Sequence, residues 1–282
     1  MNWQSFLLIS ILFSSVIGLF HRVLMKEENS DAKAQTIVFL GLIGVFTFTI
    51  SIFRGLSFPQ FPLLLPNFIL IIILGTLAPL FTFRAFQLID TAEVGILLSS
   101  QRLWTVLAAL IFLGETLTIS KTFGIILILI GVAIISWKKH KIKIGKGEFY
   151  AILSAFLYGI FYVNAFYILQ HMDAISFEVY ASLLPAFSLL LIQPGTIKKI
   201  RFYFVPKNAA RILIAVILDI IATVSLYIAY QLGRNASQIA PLSATPIIFT
   251  TILAAIFLNE RENLKNKIIG AIVVIAGAIL VI

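Results

Sequence analysis

Two passages of this chain, one near the end of each half, follow the same residue pattern. Residues 113–131 read LGETLTISKTFGIILILIG and residues 258–277 read LNERENLKNKIIGAIVVIAG. In each passage an apolar run ends in Leu-x-Glu, a short polar stretch follows, and a second apolar run carries two glycines seven residues apart. The correspondence continues upstream, where residues 85–88 (AFQL) match residues 229–232 (AYQL). The chain is therefore predicted to consist of two related halves.

The composition restricts these halves to a membrane. Apolar residues make up 60% of the 282 residues, charged residues only 12%, and the mean hydropathy is +1.06, whereas a soluble domain carries about 25% charged residues. The chain has no cysteine, which excludes disulfides, thiolate metal sites and cysteine nucleophiles. The net charge of +9 lies in loops between apolar spans, and no basic face with interleaved aromatic residues is recognised, so nucleic-acid binding is not predicted.

Ten apolar windows approach the roughly 20 residues that a helix needs to cross the hydrocarbon. They cover approximately residues 4–24, 35–53, 67–88, 92–113, 122–137, 148–169, 175–193, 211–232, 236–258 and 267–282. The predicted fold is an all-α integral membrane protein with ten transmembrane helices in two five-helix inverted repeats. The repeats are 1–137 and 148–282, joined by a basic linker at 138–147. Because five is odd, the second repeat enters the membrane in the opposite sense to the first.

The loop charges predict the orientation. The odd-numbered connections between spans hold fifteen lysines and arginines, and the even-numbered connections hold three. Basic loops remain in the cytoplasm. The prediction is a multi-pass protein of the cell (plasma or inner) membrane with both termini on the extracytoplasmic side.

At this level of detail the chain resembles the EamA-type ten-helix members of the drug/metabolite transporter superfamily. The resemblance is carried by the two Leu-x-Glu and Gly-x6-Gly passages and by the segment around Pro246, upstream of Glu260. It implies that the first, third, fourth, sixth, eighth and ninth spans surround a central cavity. The fifth and tenth spans are then expected at the side, where related small multidrug resistance proteins use the equivalent helix to dimerise.

The sequence independently supports that division. The fifth and tenth spans carry no ionisable residue in their apolar interior, only spaced glycines that permit close helix contact. One departure is that Arg102 stands at the position facing Pro246. A broken helix is therefore expected only in the ninth span, where Pro241 and Pro246 free backbone carbonyls.

Arg102 is the first candidate for a transport residue. It lies in the middle of the fourth span, and Ser99 and Thr105 share its helix face. A charge at that depth is costly unless it faces a cavity or a partner. Arg102 is either an anchor for a substrate carboxylate or phosphate, since a guanidinium forms bidentate hydrogen bonds, or half of a structural ion pair with Asp219.

Asp219 is the corresponding acidic residue, midway along the eighth span, with Thr223, Tyr227 and Tyr230 on its face. It is a candidate to bind an ammonium group and a candidate for proton coupling. The alternative is that it neutralises Arg102 and does not titrate.

Polar residues on the corresponding first helices of the two repeats complete the candidate site. The sixth span presents Ser154, Tyr158 and Tyr162, and the first span presents Ser10, Ser14, Gly18 and His21. Their alternative role is ordinary hydrogen bonding between helices, and His21 is expected at the membrane interface. The candidate substrate-binding residues are Arg102, Asp219, Tyr158, Tyr162, Ser99, Thr105, Tyr227, Tyr230 and Ser14. Trp104 is expected to pack against lipid or a neighbouring helix, and Glu115 and Glu260 to cap helices or form salt bridges.

These observations favour a secondary transporter, most simply an exporter, of a small polar metabolite such as an amino acid. The sequence has no ATP-binding P-loop, so alternating access of the two halves around a midplane site is expected. The alternatives are a non-transporting membrane subunit and an intramembrane enzyme acting on a lipid-linked substrate. The enzyme is disfavoured because His21, His140 and His171 lie at span ends or in loops.

No catalytic residue, cofactor or metal site is predicted. The expected partners are a small-molecule substrate and the lipid bilayer. The oligomeric state stays open, and a monomer suffices because both halves lie in one chain.

Overall fold

The computed structural model describes residues 2–59, 63–136, 145–243, 245–246, 249 and 264–281, and in these ranges the regular elements are helices. In chain order they are α1 (Trp3–Met25), α2 (Ala32–Arg54), α3 (Leu65–Leu88), α4 (Thr91–Ser99), α5 (Gln101–Phe112), α6 (Ile119–Ser136), α7 (Lys146–Ile168), α8 (Ala174–Ile192), α9 (Ile197–Ile200), α10 (Pro206–Gly233), α11 (Ala236–Leu242) and α12 (Leu264–Val281). Short 3-10 turns flank α9.

Seven stretches of the described residues are long and apolar enough to cross a membrane. They are α1, α2, α3, the combined α4–α5 stretch Glu93–Phe112, α7, α8 and α10. Two shorter apolar helical stretches, Ile119–Gly131 and Ile268–Gly277, lie in α6 and α12. An all-α, multi-pass architecture is therefore confirmed. Most of the ninth window and of the basic linker lies outside the described residues, so the number of ten helices stays a prediction.

Equivalent helices of the two halves begin with the same capping interaction. Asp31 precedes α2, and its Oδ1 accepts hydrogen bonds from the amides of Lys33 and Ala34. Asp173 precedes α8 and accepts from the amides of Ile175 and Ser176 in the same way. An aspartate at this position satisfies amides that have no partner inside the helix. The second helix of each repeat thus starts at a defined residue.

The helices of the two halves interleave. The most extensive contacts join α1 to α10, α3 to α7, α2 to α8 and α6 to α12, so each pair takes one helix from each repeat. The first helix of either repeat packs on the third helix of the other. This reciprocal pairing is the arrangement that a pseudo-two-fold axis produces.

The α6–α12 contact depends on the paired glycines. A Cβ at Gly131 would lie 2.7 Å from the Gly270 carbonyl oxygen, and a Cβ at Gly277 would lie 2.6 Å from the Gly124 carbonyl oxygen. The backbones therefore approach more closely than any side chain would permit. This confirms that the fifth and tenth spans use their glycines for close helix contact.

The fourth span is interrupted, which corrects the expectation that only the ninth span breaks. α4 ends at Ser99 and α5 begins at Gln101. The interruption is one residue long, because Ser100 keeps right-handed helical dihedral angles, and its hydroxyl donates to the Leu97 carbonyl at 2.7 Å. α11 ends in the same manner, with the Ser243 hydroxyl donating to the Ala240 carbonyl at 2.7 Å. A serine therefore marks the interruption in both repeats, and Arg102 in place of a proline does not prevent it.

Candidate functional site

Arg102 lies in the first turn of α5, directly after the interruption. Its Nη2 donates to the Ser243 carbonyl of the other half at 2.9 Å. That carbonyl is available because α11 ends one residue earlier. The Nε atom of Arg102 is buried and has no hydrogen-bond partner among the described residues. The guanidinium is thus held at one edge and retains donor capacity on another.

A central cavity of about 270 Å³ lies beside Arg102. Its walls come from α1, α2, α3, α4, α5, α7 and α10, together with Ser243 and Pro246, so both halves contribute. Five of the candidate residues line it: Arg102, Asp219, Tyr158, Ser99 and Ser14. The polar faces of the first, fourth, sixth and eighth spans therefore converge on one space.

Arg102 and Asp219 face this cavity without a direct ion pair. The ion pairs within 4.0 Å in the described part of the chain do not join these two residues. Asp219 instead accepts a hydrogen bond from Thr223 at 3.4 Å through Oδ2. In this conformation the structural ion pair considered from the sequence is not formed. The cavity presents one cationic and one anionic side chain that do not neutralise each other by contact.

The other four candidate residues do not line the central cavity. Tyr162 and Tyr227 line a second, smaller space of about 90 Å³, which is called the tyrosine chamber below. Tyr230 is buried, with its ring 5.6 Å from that of Phe166. Thr105 is buried and donates to the Gln101 carbonyl of its own helix. Tyr230 and Thr105 therefore pack within the bundle and border neither space.

Glu178 is a site residue that the sequence reasoning missed. It lies in the second turn of α8, is only 4% exposed, and lines the tyrosine chamber with Asp219. Ser182 donates to Glu178 Oε1 at 2.8 Å. Glu178 lies near the start of the seventh apolar window, a position at which a charged side chain is not conspicuous. The signal that was available is the i, i+4 pair of Glu178 and Ser182 on an otherwise apolar face.

His21, which was expected near the membrane interface, is buried inside the bundle near the end of α1. Its side chain is buried between Phe39 and Phe83, with ring centroids 4.5 and 4.8 Å away. Its Nδ1 lies 3.2 Å from Nε2 of Gln35. His21 borders the central cavity near the end of α1. The cavity therefore extends from Arg102 toward the end of the bundle where α1 stops.

Two further expectations concern helix contacts. The carboxylate oxygens of Glu115 accept hydrogen bonds from the amides of Ala236 and Ser237, both at 2.8 Å. Glu115 is thus confirmed as a cap, and it caps a helix of the opposite repeat; Glu260 lies outside the described residues. Trp104 packs on α7, where a Cβ at Gly159 would lie 2.4 Å from the Trp104 Cβ.

Interleaved helical halves around a central cavity that contains charged side chains are typical of multi-pass membrane transporters. The model of the EamA-like transporter family matches residues 1–137 and again residues 145–282, so the chain belongs to that family. Among solved structures, a crystal structure of another protein is similar over 98% of each chain, with a TM-score of 0.68 and 17% sequence identity. At that identity the likeness concerns the fold alone. No curated protein matches the chain.

Proposed function

We propose that the protein is a secondary transporter that exports a small polar metabolite such as an amino acid across the cell membrane. The observation that carries the proposal is the central cavity, which Arg102 of one half and Asp219 of the other face without contacting each other. Charged side chains inside a membrane bundle are costly and characteristically mark a substrate pathway. Opposite charges on opposite halves suit a zwitterionic cargo.

In this mechanism the cargo carboxylate binds Arg102 and its ammonium group binds Asp219. A guanidinium offers two parallel donors to a carboxylate, and the partnerless Nε of Arg102 supplies one of them. The Nη2 group supplies the other through the hydrogen that does not bond the Ser243 carbonyl. The cargo therefore binds the same group that joins the interrupted fourth span to the end of α11. Alternating access follows if the halves rock about these two interruptions.

Counterflow in proteoliposomes tests the proposal. Vesicles that contain the purified protein and an unlabelled amino acid accumulate the same labelled amino acid only if a transporter exchanges them. We expect Arg102→Ala and Asp219→Asn each to reduce counterflow at least about 10-fold, since each loses a charge-assisted contact. Arg84→Ala is the matched control, because Arg84 is an exposed arginine on α3 outside the cavity.

A thermal-shift screen identifies the amino acid to use. A ligand that binds the folded state raises its apparent Tm by mass action. An amino acid that stabilises the wild type but is not exchanged would favour a non-transporting subunit or an enzyme over a transporter. Equal counterflow in the wild type and both cavity variants would show that Arg102 and Asp219 are structural.

The coupling role of Asp219 is tested in the same vesicles. If Asp219 couples transport to protons, an imposed pH gradient drives accumulation of the labelled cargo above its equilibrium level. Equal final concentrations with and without the gradient would mean facilitated transport.

A further inference from the structure

The tyrosine chamber adjoins the central cavity, and the two spaces share Phe39, Tyr158 and Asp219 as walls. Its floor is formed by α8, which contributes Glu178 and Ser182. The chamber therefore adjoins the central cavity at Asp219. Asp219 lines both spaces, and Glu178 is a second acidic residue on the chamber side.

Oε1 of Glu178 accepts from the Ser182 hydroxyl at 2.8 Å, whereas Oε2 is buried and has no donor in hydrogen-bond geometry among the described residues. The Tyr227 hydroxyl is the neutral donor that faces this carboxyl group. Among the described residues that line the chamber there is no lysine, arginine or histidine. An ionised carboxylate at this position is strongly unfavourable without a counter-ion, and a protonated one is not. A cation in the chamber is therefore the ligand that would favour the ionised form of Glu178.

The chamber walls favour an organic ammonium group over an inorganic ion. The described lining contains five aromatic side chains, from Phe39, Tyr158, Phe161, Tyr162 and Tyr227. Aromatic faces attract ammonium cations, most strongly where water is excluded. A polar cavity of roughly 15 Å³ already holds a water molecule, so the 90 Å³ here has room for an ammonium group and its neighbouring methylenes.

We propose that the tyrosine chamber is a subsite for a second ammonium group of the cargo, which makes the cargo a cationic amino acid. This inference rests on the proposed function for the binding of the carboxylate at Arg102 and of the first ammonium at Asp219. Charge balance supports it, because one guanidinium and two carboxylates line the two adjoining spaces. A molecule with one carboxylate and two ammonium groups compensates all three.

Lysine and norleucine form the matched probe pair, since norleucine has the same chain length without the terminal ammonium. Binding to the purified full-length protein is measured by isothermal titration calorimetry at constant ionic strength. We expect the wild type to bind lysine at least about 10-fold more tightly than norleucine. Glu178→Gln, which retains an acceptor for Ser182, should abolish that preference while leaving norleucine affinity within about 2-fold.

Glu115→Gln is the control variant, because it removes a carboxylate that caps α11 and lies outside both cavities. It should keep the preference for lysine. If Glu178→Gln does not fold, competition on the wild type is a second test. Pentylammonium should weaken lysine binding, whereas an equal concentration of sodium should not.

Different results would overturn the ammonium subsite and the carboxylate anchor of the proposed function. Wild-type protein that binds and exchanges norleucine as well as lysine would overturn the ammonium subsite alone, as would competition by sodium as strong as that by pentylammonium. Lysine binding that is unchanged in Arg102→Ala but lost in Glu178→Gln would overturn the carboxylate anchor and leave the subsite in place.

Discussion

Glu27 connects the two halves at the end of the bundle where α1 stops and α10 begins. Its Oε1 accepts hydrogen bonds from Nη1 of Arg211 at 2.9 Å and from Nζ of Lys207 at 3.2 Å. These two basic groups hold the pKa of the Glu27 carboxyl below its ordinary value of 4.5. A carboxyl with a lowered folded-state pKa stabilises the fold above its ordinary value, and this contribution is lost as the pH falls through the lowered pKa.

We therefore expect Glu27→Gln to lower the Tm slightly at pH 7 and to have less effect as the pH drops below about 4.5. Thermal unfolding in detergent across that range measures the difference from the wild type. The neighbouring exposed residue Glu28 provides the control, since Glu28→Gln should leave the Tm unchanged at each pH. A Glu27→Gln effect that does not vary with pH would contradict the ionic origin.

The candidate site was only partly predictable at the scale of single residues. Arg102 and Asp219 were identified because a charge at mid-span is conspicuous in an apolar sequence. Glu178 was not identified. It lies near the start of an apolar window, and the sequence does not show whether other helices bury that end of the helix. Tyr230 and Thr105 lie on the predicted helix faces but pack inside the bundle, since a helix face contacts neighbours as well as a cavity.

At the scale of elements, the α6–α12 pair gives a direct test of the glycine contact. A Cβ at Gly131 would lie 2.8 Å from the backbone nitrogen of Val274, and backbone cannot move aside as a flexible side chain can. Gly131→Ala should destabilise the protein by about 1–3 kcal/mol, the usual cost of overpacking. The expected readout is a lower Tm and a lower denaturant midpoint in detergent.

Gly41→Ala is the matched control for this contact. Gly41 also lies inside a helix, α2, but a Cβ there would have nothing within 4 Å. Alanine is the better helix former, so this substitution should be neutral or slightly stabilising. Equal effects of the two substitutions would mean that helix propensity, and not the close approach, determines the outcome.

The elements also show where sequence patterns stop being informative. The glycine spacing predicted the α6–α12 contact because Gly-x6-Gly places both residues on one face. The interruption at Ser100 was missed because proline was taken as the marker of a break, whereas a serine hydroxyl bonded to the Leu97 carbonyl accompanies it here. Whether a serine forms such a bond depends on its rotamer, so the residue type alone does not reveal the interruption.

For the whole molecule, the reciprocal pairing of helices separates two ends with different chemistry. One end carries the ion pairs of Glu27 and the contact between Lys199 Nζ and Asp31 Oδ2 at 2.7 Å. The other end is joined by amide groups, with Nδ2 of Asn67 donating to Oδ1 of Asn164 at 2.6 Å. The end with the ion pairs, called the basic end here, contains most of the described loop lysines and arginines, so we expect it to lie in the cytoplasm.

Single-cysteine labelling tests that orientation, because the chain has no cysteine of its own. Gln170 and Lys198 are exposed at opposite ends, in the connections after α7 and α8. In intact cells we expect a membrane-impermeant maleimide to label Gln170→Cys and not Lys198→Cys, and permeabilisation should make both reactive. The central cavity reaches from Arg102 toward His21 near the basic end, so this labelling pattern would place that side of the cavity toward the cytoplasm. The opposite pattern, with Lys198→Cys labelled in intact cells, would reverse the orientation.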